Sequence, residues 1–339
     1  MDDSLISNRG CPERHRHSRQ PGRDLMITTR KFRASALFPI GLWLMGAACA
    51  ASHHPTQPSA LGQSSASGNL TAVIELPGPI EFETVKAANW AVARSGMINL
   101  EHPAAQAAGL EDGDEPIGVF FHVLRHPEFG MFIVDSGVES GFQSADGNDR
   151  IAYLVENAMN TEALDIHVTT ADWLQSQSEP LAGVFLTHLH LDHVMGLPDV
   201  PKGTPVYVGP GETSASNFLN LFTRGTIDRM IESAGVLQVW PFEVDSDRRF
   251  AGVVDIFGDG SAWAIHVPGH TPGSTAFLVR TTSGPKLLVG DASHTRWGWD
   301  HGVEPGTFSL DRPRSVESLA GLRKLASEFP DLEVLLGHQ

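Results

Sequence analysis

The sequence predicts an α/β (α+β) layered domain over residues 70–339. Three observations lead there. Short apolar runs bounded by Gly and Pro recur through this region, as strands buried between layers do. Amphipathic stretches of helical period fall between them. No period of 20–50 residues repeats, which sets a solenoid aside.

In chain order, the apolar runs place strands at 118–124, 131–134, 183–186, 205–208, 236–240, 262–267, 275–280, 286–289 and 333–336. The stretches between them place helices at 149–157, 211–222, 226–233 and 314–329. The last is the best marked. Pro313 sits just before it, and Val316, Leu319, Ala320, Leu322, Leu325 and Ala326 form an apolar stripe. Many strands with interspersed helices form packed layers.

Residues 1–50 have a different character. Residues 9–33 are rich in Arg and His, and residues 34–50 are uncharged and apolar. Arg30, Lys31 and Arg33 precede that run, and it ends in Ala48-Cys49-Ala50. A basic segment, an apolar segment and a small-residue end are the three parts of a secretory signal peptide. The run is shorter than the roughly 20 residues of a membrane span. Pro39 and Gly41 interrupt it, so no stable span is expected after cleavage. Met26 would start a signal of ordinary length. Cleavage after Ala50 gives a periplasmic or secreted chain, with a lipid anchor on Cys49 as the alternative. Residues 51–69 are rich in Ser, Pro and Gly and read as a flexible linker before the 70–339 domain.

Charge narrows the function. The chain of 339 residues carries 24 Lys+Arg against 40 Asp+Glu, a formal net charge of −16. Residues 1–50 hold eight of the bases and four of the acids, so the remainder carries 16 against 36, net −20. That excludes phosphate-backbone binding and points to a small-molecule substrate. The two cysteines, Cys11 and Cys49, both fall in residues 1–50. The rest has no disulfide, no thiolate metal ligand and no thiol nucleophile.

The 16 histidines carry the chemistry. Thr187-His188-Leu189-His190-Leu191-Asp192-His193 follows an apolar run. In an extended segment residues two apart face the same way, so His188 and His190 can grip one metal ion. Asp192 and His193, at the turn into a helix, can aim at a second ion beside it. Imidazole and carboxylate are what Zn²⁺ takes where no thiolate is available; Fe, Co and Mn suit the same donors. His270 lies in Pro-Gly-His-Thr-Pro-Gly, Asp291 in Val-Gly-Asp and His338 in Leu-Gly-His, each at a strand exit. Loops at strand exits deliver side chains to one face of a rigid scaffold.

This ordered set, HxHxDH, PGHTPG, GD and GH, resembles the signature of the metallo-β-lactamase superfamily. The resemblance implies a four-layer αββα sandwich with a site for two Zn²⁺ ions at one edge of its two sheets. It implies that His188, His190 and His270 bind the first ion, that Asp192, His193 and His338 bind the second, and that Asp291 bridges them. Phe132-Ile-Val-Asp-Ser-Gly is similar to the superfamily's first motif, which gives Asp135 the part of supporting the ligands from behind. The resemblance implies that two such ions would supply a water activated near neutral pH for attack on a carbonyl or phosphoryl centre, with Asp192 orienting it.

Within the superfamily, Asp291 separates this chain from true β-lactamases, which have Cys or Ser there. His190 separates it from flavodiiron oxidoreductases. Lactone, ester and thioester hydrolases and phosphotriesterases remain, beside a non-enzymatic scaffold that keeps its metals to bind a ligand. Asp291-Ala-Ser-His294-Thr resembles the Asp-Ala-Ser-Tyr-Thr of acyl-homoserine lactone lactonases, with His294 in place of the Tyr. An imidazole there can donate to an oxygen that gains charge, which makes His294 a catalytic candidate beside Asp192. Trp297 and Trp299, in the loop after the bridging Asp, are the expected pocket walls, and Phe218, Phe222 and Phe308 are further aromatic candidates.

Expressed from Met26 in a bacterial host, the chain is expected to leave the cytoplasm and to begin near Ala51. N-terminal sequencing checks this. Uncleaved protein in the cytosol would contradict it, and a lipid on Cys49 would move the cleavage site.

Overall fold

The computed structural model describes residues 50–144, 148–217 and 220–339. The expected signal peptide, both cysteines and Phe218 lie outside the described residues. Among the described residues the strands are β1 (Thr56–Pro58), β2 (Gln63–Ser65), β3 (Glu81–Ala93), β4 (Asp114–His126), β5 (Gly130–Val134), β6 (Asp165–Ile166), β7 (Leu181–Phe185), β8 (Val206–Val208), β9 (Leu237–Val239), β10 (Gly252–Asp255), β11 (Ala262–His266), β12 (Thr275–Thr281), β13 (Gly284–Leu288) and β14 (Glu333–Leu335). The helices are α1 (Ser67–Val73), α2 (Arg94–Met97), α3 (Pro103–Ala107), α4 (Tyr153–Met159), α5 (Thr170–Gln175), α6 (Leu191–Val194), α7 (Asn220–Met230), α8 (Arg296–His301) and α9 (Arg312–Glu328). None is long and apolar enough to cross a membrane.

The strands form two sheets. The larger has the order β1-β9-β8-β7-β5-β4-β3-β6, the smaller β14-β13-β12-β11-β10-β2. Their central strands are apolar on both faces, and alternation sorts the side chains into separate cores. In β5, Phe132 and Val134 enter the core between the sheets, while Met131 and Ile133 face the helices outside. In β12, Phe277 and Val279 face inward, while Ala276 and Leu278 face the other outer layer. Phe185 lies at the centre of the inner core, with ring centroids 4.8 Å from Phe132, 5.9 Å from Phe277 and 5.3 Å from both Tyr207 and Trp240. Leu319, Leu322 and Leu325 of α9 cover the smaller sheet. Val194, Ile227 and Met230 of α6 and α7 cover the larger one. The result is helix, sheet, sheet, helix: the expected four-layer sandwich.

All nine expected strands are present. Three departures have physical causes. Residues 51–69, read as a flexible linker, are ordered into both sheets. β1 runs parallel to β9 and β2 antiparallel to β10. Backbone hydrogen bonds hold both segments, so their Ser- and Gly-rich composition conceals them. Only Leu61 between them packs on the inner core, and the Ser67 N–H is held by Asp245.

The second departure is at 211–222 and 226–233, expected as two helices. Among the described residues the helix is α7 (Asn220–Met230), residues 211–214 form turns, and Ser216 makes a bridge to Ala50. Gly211 has φ 82°, and the 50–52 segment binds this stretch through the Ser52 N–H to Thr213 O hydrogen bond. The third is β3, unexpected because its first half, Glu-Phe-Glu-Thr-Val-Lys, lacks a continuous apolar run; pairing with β4 from Asp114 to Arg125 keeps it extended.

A broad-specificity protease applied to the native protein is therefore expected to spare residues 56–73. Rapid cutting inside 59–66 at native temperature would restore the linker reading.

Candidate metal centre

The site lies where the strands of both sheets end. His188 and His190 follow β7, Asp192 and His193 belong to α6, and His270 follows β11. Asp291 follows β13, and His338 follows β14. These loops bring the seven residues into two groups that share one member. His188, His190, His270 and Asp291 form the first, and Asp192, His193, Asp291 and His338 the second. Within each group the potential ligand atoms lie within 4.8 Å of one another.

In the first group His270 Nε2 is 3.1 Å from His188 Nε2 and 2.8 Å from His190 Nδ1. Asp291 Oδ2 completes it, 3.5 Å from His188 Nε2 and 3.3 Å from His270 Nε2. In the second, Asp192 Oδ2 is 3.7 Å from His193 Nε2 and 3.3 Å from His338 Nε2. His193 Nε2 is 3.4 Å from Asp291 Oδ2, and His338 Nε2 is 3.3 Å from Asp291 Oδ1. Four atoms each about 2.0–2.1 Å from a zinc ion stand about 3.3 Å apart in a tetrahedron, so both groups have the spacing of a coordination shell. Two buried atoms test the fit. His193 Nε2 and Asp291 Oδ1 have no hydrogen-bond partner among the described residues. Such orphans are costly unless something else satisfies them, and a divalent ion would satisfy both.

The far side of most rings is tied down. His193 Nδ1 donates to Asp135 Oδ2 at 2.8 Å, and His338 Nδ1 to the Gly118 carbonyl at 3.0 Å. His270 Nδ1 meets Ser309 Oγ at 3.2 Å. Asp135 is held in a left-handed conformation (φ 60°) at the end of β5. From there its carboxylate also accepts the Thr187 N–H at 2.8 Å and the Thr187 hydroxyl at 3.0 Å. It thus holds His193 and Thr187, the residue just before His188, from the side away from the cluster. Thr187, just before the motif, carries no metal-binding group and gives no signal in sequence. Gly337 is required by closeness: a Cβ there would lie 2.3 Å from Asp291 Oδ1.

The electrostatics are those of a ligand cluster. Burial, reinforced by the neighbouring imidazoles, holds His188 well below the usual histidine range. Burial and His270 push His190 down to about 3. Burial lowers His270 as well. These three present neutral rings. Burial alone would raise Asp291, yet His294, His193 and His338 pull it well below the carboxylate range. His193 and His338 are raised despite burial, His193 chiefly by Asp135 and His338 chiefly by Asp291. A metal ion entering the second group therefore displaces protons.

The cluster floors a cavity of about 700 Å³. His190, Asp192, His270, Asp291, His294 and His338 reach it, and apolar side chains such as Trp90, Met97, Leu189, Phe222, Ile227 and Phe308 enclose it. Trp297 and Trp299, expected as pocket walls, do not line it. Thr295 caps α8 by accepting the Gly298 N–H, and the helical turn carries both indoles away. Trp299 joins the core beneath α9, and Trp297 stacks on His301 at 4.2 Å. Phe222 and Phe308 take the wall positions instead. His294 is buried at the floor, its Nδ1 2.9 Å from the Met97 carbonyl and its Nε2 3.0 Å from Asp291 Oδ2.

Residues 130–338 match the metallo-beta-lactamase superfamily. The chain is 35% identical over 157 residues to N-acyl homoserine lactonase AttM of Azorhizobium caulinodans. That stretch is 46% of this chain and 57% of the relative, so the chain spans little more than half the length of the curated relatives it matches. Agrobacterium fabrum AttM matches at 31% identity over 164 residues, with the same coverage of each chain. Among solved structures, a quorum-quenching N-acyl homoserine lactone lactonase superposes with a TM-score of 0.56 at 17% identity, covering 78% of this chain and 93% of its own. With its ordered His and Asp motifs gathered at the edge of a four-layer sandwich, the chain belongs to the metallo-beta-lactamase superfamily.

Proposed function

We propose that this protein is a metal-dependent hydrolase that opens a lactone or a related carboxylic ester, with two zinc ions in the His188–His338 cluster. One observation carries the reading: two ligand groups share Asp291 at the floor of an apolar cavity. The fit of the donors supports zinc, and the relatives named N-acyl homoserine lactonase support a lactone. When bound, the two ions would supply Lewis acidity and a water activated at neutral pH.

The chain's own residues do the rest. Asp192 is held ionised because His193 and His338 outweigh the opposing effect of burial. Its carboxylate lines the cavity beside the second ligand group, where it would orient the attacking water. His294 stands beside Asp291 and reaches the same floor. Its two nitrogens face a carbonyl and a carboxylate, both acceptors, so in this arrangement it holds Asp291 in place, and donating to a substrate oxygen requires Nε2 to turn away from Asp291. Leu189, Phe222 and Phe308 line the cavity and offer apolar surface to an acyl group. The export expected from residues 1–50 would place this activity in the periplasm or outside the cell.

Steady-state assays on lactone, thioester, aryl ester, phosphotriester and cephalosporin substrates test the reading. Lactones are expected to turn over best, with activity lost on chelation and regained on adding zinc. Turnover confined to phosphotriesters or cephalosporins would contradict the substrate class. His294→Ala is expected to lower kcat roughly 10²–10³-fold with both ions retained. Loss of metal along with activity would instead limit His294 to holding Asp291.

A further inference from the structure

Beside the first ligand group, in the lining of the same cavity, lies a buried carboxylate whose hydrogen bonds go to none of the metal-facing atoms. Glu212 is 1% exposed. Its Oε2 accepts the N–H of Leu189 at 2.9 Å, the residue between His188 and His190. Its Oε1 accepts the hydroxyl of Thr271, next to His270, and the N–H of Gly273 at 2.8 Å. One side chain therefore spans the two loops that deliver all three imidazoles of the first group. The loops leave it little freedom. A Cβ on Gly209 would fall 1.8 Å from the Gly273 carbonyl oxygen, so the 209–212 turn lies directly on the 270–274 turn. Thr271 is fixed in turn, its N–H donating to Ser274 Oγ at 2.9 Å.

The burial needs a reason. All three donors to Glu212 are neutral, and burial raises its carboxyl to about 7 against their pull. A hydrophobic residue would fill the space without that penalty, but it could not bind two loops at once.

We propose that Glu212 is a positioning residue: it clasps the 187–190 and 270–274 loops together and so sets the separation of His188, His190 and His270. The proposal rests on the metal-site reading above. Partners that orient ligands from behind are typically worth about 10–100-fold in metal affinity.

The test is chelator competition on the full chain, wild type against Glu212→Gln and Thr271→Val. The two sites are told apart by cobalt(II) absorption bands assigned with His270→Ala and His338→Ala. Glu212→Gln keeps the shape but can turn an amide N–H toward the Leu189 or Gly273 N–H, breaking one link. Its first-site affinity is expected to fall about 10–100-fold, with the second site changed less than about threefold. Thr271→Val is expected to weaken the same site by a smaller factor. In metal-free protein, amide exchange at Leu189 and Gly273 should quicken in Glu212→Gln while the strands exchange as in wild type. Unchanged affinities, or equal weakening of both sites, would overturn the proposal. If Glu212→Gln does not fold, wild-type affinity in Thr271→Val would overturn it. A wild-type protein that binds no metal tightly would instead place the fault in the underlying reading, before any variant is compared.

Discussion

Asp291 puts a negative charge where water scarcely reaches, and the site is arranged around the need to compensate it. Its carboxylate is almost fully buried, and the ring nitrogens of His188, His193, His270, His294 and His338 all lie within 3.5 Å of it. An isolated carboxylate in such surroundings would take up a proton. Here the imidazoles keep it ionised, and it can serve both ligand groups. The demand also runs the other way. Neutral rings with nitrogens 2.8–3.1 Å apart need a proton or a cation between them, and two divalent ions would meet the needs of rings and carboxylate together.

Only a stiff frame holds so many polar groups against one another. The inner core around Phe185 locks the two sheets face to face. His188, His270, Asp291 and His338 then sit three or four residues past a strand end, close to ladder hydrogen bonds, while Asp192 and His193 are held in the α6 turn. Smaller devices complete the frame: the left-handed Asp135 that gathers Thr187 and His193, the Gly118 carbonyl that orients His338, and the Glu212 link between two loops. The cavity above the site owes its walls to the outer layer, where Phe222 and Ile227 of α7 stand over the cluster.

Legibility from sequence followed the physical origin of each feature. His188, His190, Asp192 and His193 were readable because four ligand-type residues in six positions have no ordinary structural reason. His270, Asp291 and His338 were readable because each follows an apolar run and a Gly. Central strands such as β5 and β12 were visible because both their faces are buried. β1 and β2 were not, because edge pairing is made by backbone groups that any composition supplies. Trp297 and Trp299 do not wall the cavity because a single cap at Thr295 turns that loop into a helix, which carries Trp299 into the core and Trp297 onto His301. Thr187 and Glu212 left no trace, since a Thr or Glu between elements acquires its part only when distant loops meet around it.

Anomalous diffraction from zinc-loaded crystals bears most directly on the shared role of Asp291. The expected result is two peaks about 3.5–4 Å apart. One should lie within bonding reach of His188, His190 and His270, the other within reach of Asp192, His193 and His338, with the Asp291 carboxylate between them. A single peak, or zinc bound elsewhere while the cluster stays metal-free, would contradict a two-ion centre built on Asp291.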